Sequence, residues 1–527
     1  MRSSRTSRLS QLSDVMVEYL TDRKSIKHAA LRIGQLINKH EEWFLSRTDV
    51  ESSSYLKRSE INTRATQLRL FLSCLTDQGL THWRVKSWEW TQEKLILGAT
   101  LVKGNAPILL ELVPRASVRV VTELVSDTRR VRCQRLAQLA CRAFPGMRVF
   151  RLGLSPGIRR GQPGRCARIL LESRNDGVAL TGTITTGDTG SVDAFLSSAL
   201  IWFHRIRVRS SRPSITRLWL AVYKENVESL SQLIALLASD LRRVITVFQV
   251  DEELNDLSPV SQIELEDLFR ETPSKLYRPH AIKTTECGKQ IIAMAPDAID
   301  VIHARHGETL RFHGLPFARV RRVMNSERVW FGIDLASRRI LDEYSFAELE
   351  KLLKELAENR NPATPHRRHA YYRAAPEAWL ESLLRRDISK LDPGLRLAPI
   401  HTQFRTAPAS SGTSRPVDLL ALRHDGRLAV IELKVTEDRE HVLQGVDYWR
   451  RVEAHRRCGN IQRARLFDDA VIADEPPLVY LAAPLLSFHR AFYTLANSIA
   501  PEIKIYRFEL NEDWRAGVRV TRRCDFR

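Results

Sequence analysis

The chain has 527 residues, with 82 Lys and Arg against 62 Asp and Glu for a formal net charge of +20. The length suits two to four domains and the 43% hydrophobic content supports sizeable cores. The charge favours an anionic partner, nucleic acid ahead of a membrane surface, while seven scattered cysteines without a Cys-x-x-Cys argue against a disulfide framework or a clustered zinc site.

The basic N-terminus lacks the apolar core of a signal peptide, and no apolar run approaches the length of a membrane span, so a soluble cytoplasmic protein is expected. Residues 1 to about 80 read as mostly helical. Val15–Tyr19, Ala29–Ile37 and Thr63–Leu75 carry apolar residues at helical spacing. From 82 to 125 the period changes to that of strands: Trp83–Trp90, Leu95–Val102, Ile108–Val113 and Ser117–Val121, with turns at Gly104-Asn105 and Pro114. A helix over Val131–Phe144 ends at Pro145-Gly146. Trp83, Trp88 and Trp90 are expected in a core rather than on a base-stacking surface, because aromatic side chains usually bury their area.

Residues 147–165 include Ser155-Pro-Gly-Ile-Arg-Arg-Gly-Gln-Pro-Gly-Arg165, whose Gly and Pro residues read as a loop. Neither this stretch nor Thr181–Gly190 ends in Gly-Lys-Ser/Thr, so no nucleotide-binding P-loop is expected. A helix over Phe195–Phe203, a strand over Leu218–Tyr223, a helix over Val227–Leu241 and a strand over Val244–Val250 predict a crossover joining two parallel strands. Structural roles are expected for His303, His306 and His313. Ser345–Glu348 reads as a capping box on a helix over 345–358. Asn359–His369, with two prolines and a basic run, reads as a linker. The fold class is thus α/β and α+β multidomain: an α+β domain over 1–146, an α/β domain over 147–358, the linker 359–370 and a last domain over 371–527.

That last domain opens with a helix over Pro376–Arg386, with Pro at its start. Glu377 shares a face with Leu380 and Leu384. A strand follows over Leu395–Phe404, then a loop over Thr406–Ser414. Arg415–Leu422 and Arg427–Val435 are strands joined through Asp425-Gly426, a hairpin signal. Strand alternation puts Ala429, Ile431, Leu433 and Val435 on one face, and Val430, Glu432 and Lys434 on the other. The hairpin brings Asp418 toward Glu432. On the helix over Arg439–Arg457, Gln444 and Tyr448 lie four apart and share a face. A strand over Pro477–Ala483 and a helix from Ser487 complete the set.

Pro416-Val-Asp418, Glu432-Leu-Lys434 and Gln444-Gly-Val-Asp-Tyr448, in that order, resemble the PD-(D/E)xK nuclease superfamily, in particular its RecB-like members with a Gln-x-x-x-Tyr motif. Val417 separates the Pro and Asp that are adjacent in the family pattern. The likeness spans roughly residues 370–490 and leaves the N-terminal two thirds unassigned. It implies a restriction-endonuclease-like αβββαβ core with a mixed sheet, and a nuclease that hydrolyses phosphodiester bonds with Mg²⁺ or Mn²⁺. Catalytic roles then fall to Asp418, Glu432, Lys434, Gln444 and Tyr448. The metal would be held by Asp418, Glu432, the main-chain carbonyl of Leu433 and a further acid, Glu377, with Glu381 in reserve. Arg415, Arg439, Arg450 and Arg451 are the expected phosphate contacts, and DNA the expected partner. The iron–sulfur cluster of some RecB-like proteins is not expected, since only Cys458 and Cys524 lie near this region. The other reading is a catalytically silent nucleic-acid-binding module with an N-terminal sensor or partner-binding region. A homodimer, and a partner protein for the N-terminal region, are both compatible with the sequence.

Overall fold

The computed structural model describes residues 18–47, 50–76, 79–91, 94–102, 107–114, 118–156, 163–174, 176–185, 191–209, 214–271, 273, 276, 284–304, 307–323, 326–334, 338–404 and 417–526. It is a mixed α/β and α+β protein that divides into two compact units. One is built from residues 1–125 with 187–190 and 331–339; the other holds 126–186, 191–330 and 340–527. Among the described residues no helix is long and apolar enough to cross a membrane.

The first unit is an eight-stranded sheet with a helix over Arg23–Ile37. Ile26, Ala29, Ile33 and Ile37 recur at helical spacing on its buried face, and Asp22 caps its start by accepting from the Ser25 N–H at 2.8 Å. The stretch expected to be helical near Thr63–Leu75 forms two antiparallel strands instead, Ile61–Ala65 and Leu70–Thr76. Leu70, Leu72 and Cys74 are buried at every second residue, so burial against the sheet selects period 2. Glu18–Tyr19 is likewise a short strand rather than the end of a helix. Trp83 and Trp88 are core residues, with Trp83 wholly buried.

The second unit contains two six-stranded mixed sheets. The first is made by α1 (Val118–Ala143), β1 (Arg148–Pro156), β2 (Pro163–Glu172), β3 (Gly177–Thr183), α2 (Val192–Arg209), β4 (Ile215–Tyr223), α3 (Lys224–Ala235), β5 (Ile245–Val250) and β6 (Leu257–Val260). Ser117–Val121 was expected as a strand because of its valines, but Val118 onward belongs to α1; a long cooperative helix absorbs a weak first turn. Of the stretch 155–165 read as a loop, 157–162 lie outside the described residues, while Ser155 and Pro156 end β1 and Pro163–Arg165 open β2, with which β1 pairs antiparallel. The expected parallel pair is present as β4 and β5.

The second sheet is made by α4 (Pro376–Arg386), β7 (His401–Phe404), β8 (Val417–Leu422), β9 (Leu428–Leu433), α5 (His441–Arg457), β10 (Leu478–Pro484), α6 (Phe492–Ala496), β11 (Ile505–Leu510) and β12 (Val520–Phe526). Strands β7, β8 and β9 are antiparallel neighbours, β9, β10 and β11 run parallel, and β12 closes the edge antiparallel. This is the αβββαβ order, extended by α6, β11 and β12. Helix α4 covers one face through Trp379, Leu380 and Leu384. Helix α5 covers the other, where Gly445 lets the helix sit against the sheet; a Cβ there would come within 2.5 Å of Leu481 Cδ2. Helices α2, α3, α5 and α6 share one core with both sheets, including Leu196, Phe203, Leu230, Val446, Trp449 and Leu495.

Residues 359–370, read above as a linker, carry a buried anchor. Arg360 is fully buried and donates to the carbonyls of Phe312 at 3.0 Å, His313 at 2.8 Å, Tyr371 at 2.5 Å and Ala374 at 2.6 Å, with its guanidinium over Trp379. These bonds fix the chain just before α4. The helix over Phe346–Asn359 forms as expected, but Ser345 makes no side-chain cap bond; its hydroxyl turns back to the Ile340 carbonyl at 2.9 Å.

Candidate active site

The Asp425-Gly426 turn closes the hairpin, with Gly426 at φ +83° where an L side chain would be strained. Leu419 faces Ile431 across the hairpin, so Asp418 continues the register opposite Glu432. The Leu433 N–H donates to Asp418 Oδ2 at 2.9 Å. Both faces of β9 are buried: Ala429, Ile431 and Leu433 pack under α4, and Leu428 and Val430 pack toward α5. Glu432 therefore sits 2% exposed rather than on a solvated face.

Lys434 makes that burial tolerable. Its Nζ donates to Glu432 Oε1 at 2.9 Å and lies 3.6 Å from Asp438 Oδ2. Burial opposes the ammonium charge, but Glu432, Glu377, Asp438 and Asp418 together hold the Lys434 pKa well above its ordinary value. Burial, and then the adjacent Glu432 carboxylate, push the Asp418 carboxyl well above the usual range; Lys434 and the Leu433 N–H pull the other way. Glu377 at the start of α4 joins the group. Burial raises its carboxyl, Lys434 lowers it, and Glu432 and Asp438 raise it further. The structure thus brings Glu377, Asp418, Glu432 and Lys434 together.

Glu381, the reserve acid, is placed elsewhere. It is a turn further along α4 and accepts from Arg311 Nη1 at 3.2 Å, within a buried network in which Arg311 and Arg385 both reach Asp300 Oδ2 at 2.6 Å. Gln444 is buried on α5 and its Nε2 donates to Glu440 Oε2 at 3.3 Å. Tyr448 lies one turn on, within the apolar cluster of Val417, Leu420, Val430 and Val452. Arg450 and Arg451 both grip Asp447, the former with Nη2 at 2.7 Å, and do not join the acid group. Arg415 and Pro416 fall outside the described residues, as do the 406–414 loop, the Gly104-Asn105 turn and His306.

Two contributors escaped the sequence reading. Asp438 is the second carboxylate on Lys434. His441 opens α5 with its Nε2–H donating to the Glu432 carbonyl at 3.2 Å. Burial and then the Lys434 ammonium lower the His441 pKa to about 4, so it is the neutral ring that fixes this corner at pH 7. The signal for both was the charged run Glu437-Asp-Arg-Glu-His441 directly after the lysine.

Among the described residues no group of three or more His, Cys, Asp or Glu side chains stands ready as a metal site. The donor chemistry of the corner nevertheless suits a hard cation. Asp418 and Glu432 are neighbouring carboxylates, and both Glu432 Oε2 and Gln444 Oε1 are buried acceptors without a hydrogen-bond partner. Buried acceptors left in that condition are uncommon, and a cation or a water held on one would satisfy them.

No family model matches the chain, and no curated protein does. A solved structure described as "Structure of EndoMS-dsDNA2 complex" matches at 10% identity with a TM-score of 0.13, covering 41% of this chain and 94% of that one. Identity and TM-score at those levels decide neither fold nor activity.

Proposed function

We propose that the chain is a metal-dependent nuclease that hydrolyses phosphodiester bonds in DNA through the corner formed by β8, β9 and α5. The observation that supports this most is the meeting of Asp418, Glu432 and Lys434 beside Glu377, with Glu432 Oε2 and Gln444 Oε1 buried and unpartnered. The resemblance of these residues to the PD-(D/E)xK pattern points the same way, and the +20 charge suits a polyanionic substrate.

Asp418 and Glu432 would hold Mg²⁺ or Mn²⁺, with Glu377 and the Leu433 carbonyl as further oxygen donors. Such an ion acidifies bound water and offsets charge on the phosphoryl group. Lys434 supplies a fixed positive charge at the same place, already oriented by Glu432 and Asp438, where it can steady the attacking water and the pentavalent phosphorus. Gln444 presents an amide oxygen to whatever enters the corner. Arg439, on the loop beside Asp438, is a phosphate contact in this reading; such contacts position the backbone and carry no sequence information.

The test is incubation of the purified protein with labelled linear and circular DNA, single- and double-stranded, with Mg²⁺, Mn²⁺ or EDTA, beside Lys434→Ala. Metal-dependent cleavage absent from the variant is the expected result. Cleavage by Lys434→Ala at the wild-type rate would remove the site assignment. Salt-sensitive binding without cleavage would favour the silent binding module.

A further inference from the structure

The two six-stranded sheets repeat one another. Each follows a helix, keeps its strands in unbroken chain order and pairs them antiparallel, antiparallel, parallel, parallel, antiparallel. Each places a helix between its third and fourth strands (α2, α5) and another between its fourth and fifth (α3, α6). The segments that follow the matching helices α3 and α6 pair with one another antiparallel. Leu237 bridges Ile499, the Ala238 N–H donates to the Ser498 carbonyl at 2.9 Å, and the Ala500 N–H donates to the Leu236 carbonyl at 2.9 Å. Reciprocal bonds between matching segments are the mark of a two-fold contact, as in an isologous dimer, here made within one chain.

The strand ends give the residue correspondence. Tyr223 at the end of β4 pairs with Val250, and Pro484 at the end of β10 pairs with Leu510. Two residues earlier, Ala221 pairs with Gly182 and Ala482 with Leu433. Thr181 therefore occupies the place of Glu432, and its hairpin partner Arg168 the place of Asp418. Thr183 stands where Lys434 does. The faces agree, since Leu220 and Leu481 both point into the shared helical core. Among the described residues, the two matching positions carry no carboxylate: Thr181 donates to the Ala167 carbonyl at 2.8 Å, and Arg168 reaches across to α2, donating to Ser198 Oγ at 2.9 Å with its guanidinium over Trp202.

That guanidinium has cationic company. Arg205 is exposed on α2, three residues beyond Trp202 and so on the same side of that helix. Burial lowers Arg168 to about 10 against a raising pull from Cys166, so its guanidinium is charged at neutral pH. Arg168 over Trp202 and Arg205 one helical turn along α2 present two guanidiniums at the place that the acid pair takes in the other sheet, and guanidiniums suit phosphate oxygens.

We propose that the β1–β6 sheet with its helices is a non-cutting second copy of the β7–β12 fold, and that its Arg168 corner, with Arg205 beside it on α2, holds a backbone phosphate of the nucleic acid that the other copy cuts. The cutting half of that statement rests on the nuclease reading; the holding half does not.

The test is metal-free. Fluorescence anisotropy in EDTA with a short labelled duplex, across a salt series, compares the full-length wild type with Arg168→Gln/Arg205→Ser and with Arg168→Lys, each checked for its melting temperature. The double variant is expected to bind about tenfold more weakly and to flatten the salt dependence by about one phosphate contact, as the loss of the one phosphate held there requires. Arg168→Lys, which keeps the charge but loses the planar fork over Trp202, should fall between the wild type and the double variant and keep the wild-type salt slope. If the double variant melts early, Arg205→Ser alone, a change on an exposed side chain, carries the measurement with an expected severalfold loss. A folded variant with wild-type affinity and salt slope would overturn the inference, as would a wild type without salt-sensitive binding. Cleavage is scored separately, so weakened binding without any cleavage would retain this site and discard the nuclease.

Discussion

At the β8–β9 corner, two strands bring Asp418 and Glu432 together and a lysine follows. At the β2–β3 corner, strands paired in the same manner bring Arg168 opposite Thr181, and Thr183 stands in the lysine's place. The backbone arrangement is the same and the electrostatics are opposite. Burial is costly for a like-charged acid pair, and the first corner tolerates it only because Lys434 bridges Glu432 and Asp438. The second corner has no acid pair at its matching positions, and its arginine is steadied by Ser198 and Trp202 with donors left over. The lesson is that strand order and burial pattern maintain this fold, while the few polar side chains at one corner can change sign without disturbing it.

The largest effect that separates the corners is on the chemical step. Lys434→Ala should lower cleavage by about 10³-fold, the scale of removing a preorganised charge from a transition state, and leave DNA affinity in EDTA near wild type. Thr183→Ala, the matching change in the other copy, should cut like the wild type; equal losses from both would erase the contrast between the copies. Next, Asp418→Asn should abolish the response to Mg²⁺ and Mn²⁺ in a metal titration of cleavage, and should also remove any metal-induced rise in melting temperature, whereas Thr181→Val should keep both.

A third prediction concerns products. With acids at one corner only, a single encounter should cut one strand, so supercoiled circles should accumulate as open circles before linear DNA forms. Linear product appearing first, without an open-circle phase, would mean that the two cutting sites come from elsewhere, for example from two chains acting together. The smallest effects are on packing. Gly445→Ala would press a methyl group to 2.5 Å from Leu481 Cδ2, and Gly182→Ala would press one to 2.4 Å from Leu136 Cδ2. Each should destabilise by roughly 1–3 kcal/mol in denaturant unfolding, the usual range for an overpacked core. Gly445→Ala, beside Gln444, should in addition disturb cleavage, and Gly182→Ala should not.

Much of the acid corner was legible in the residues because its determinants are local. Alternation put Glu432 and Lys434 on one side of a strand, the Asp-Gly turn folded Asp418 back onto them, and a four-residue spacing aligned Gln444 with Tyr448. The same local logic failed where two periods were both admissible, as at Leu70–Cys74, and where β-branched residues open a helix, as at Val118. Nor did it register that Arg450 and Arg451 share a partner on their own helix, Asp447.

What the sequence determined by itself was therefore the hairpin, its acids and lysine, and the helix that follows, since each depends on residues a few positions apart. Only the tertiary structure decided that Glu377 reaches the corner while Glu381 turns away to Arg311, because a helix's facing depends on what packs against it. Only the tertiary structure revealed the second copy. Its corner residues, Arg168, Thr181 and Thr183, share no chemistry with Asp418, Glu432 and Lys434, and the likeness resides in strand order and register, which long-range pairing creates and no local pattern records.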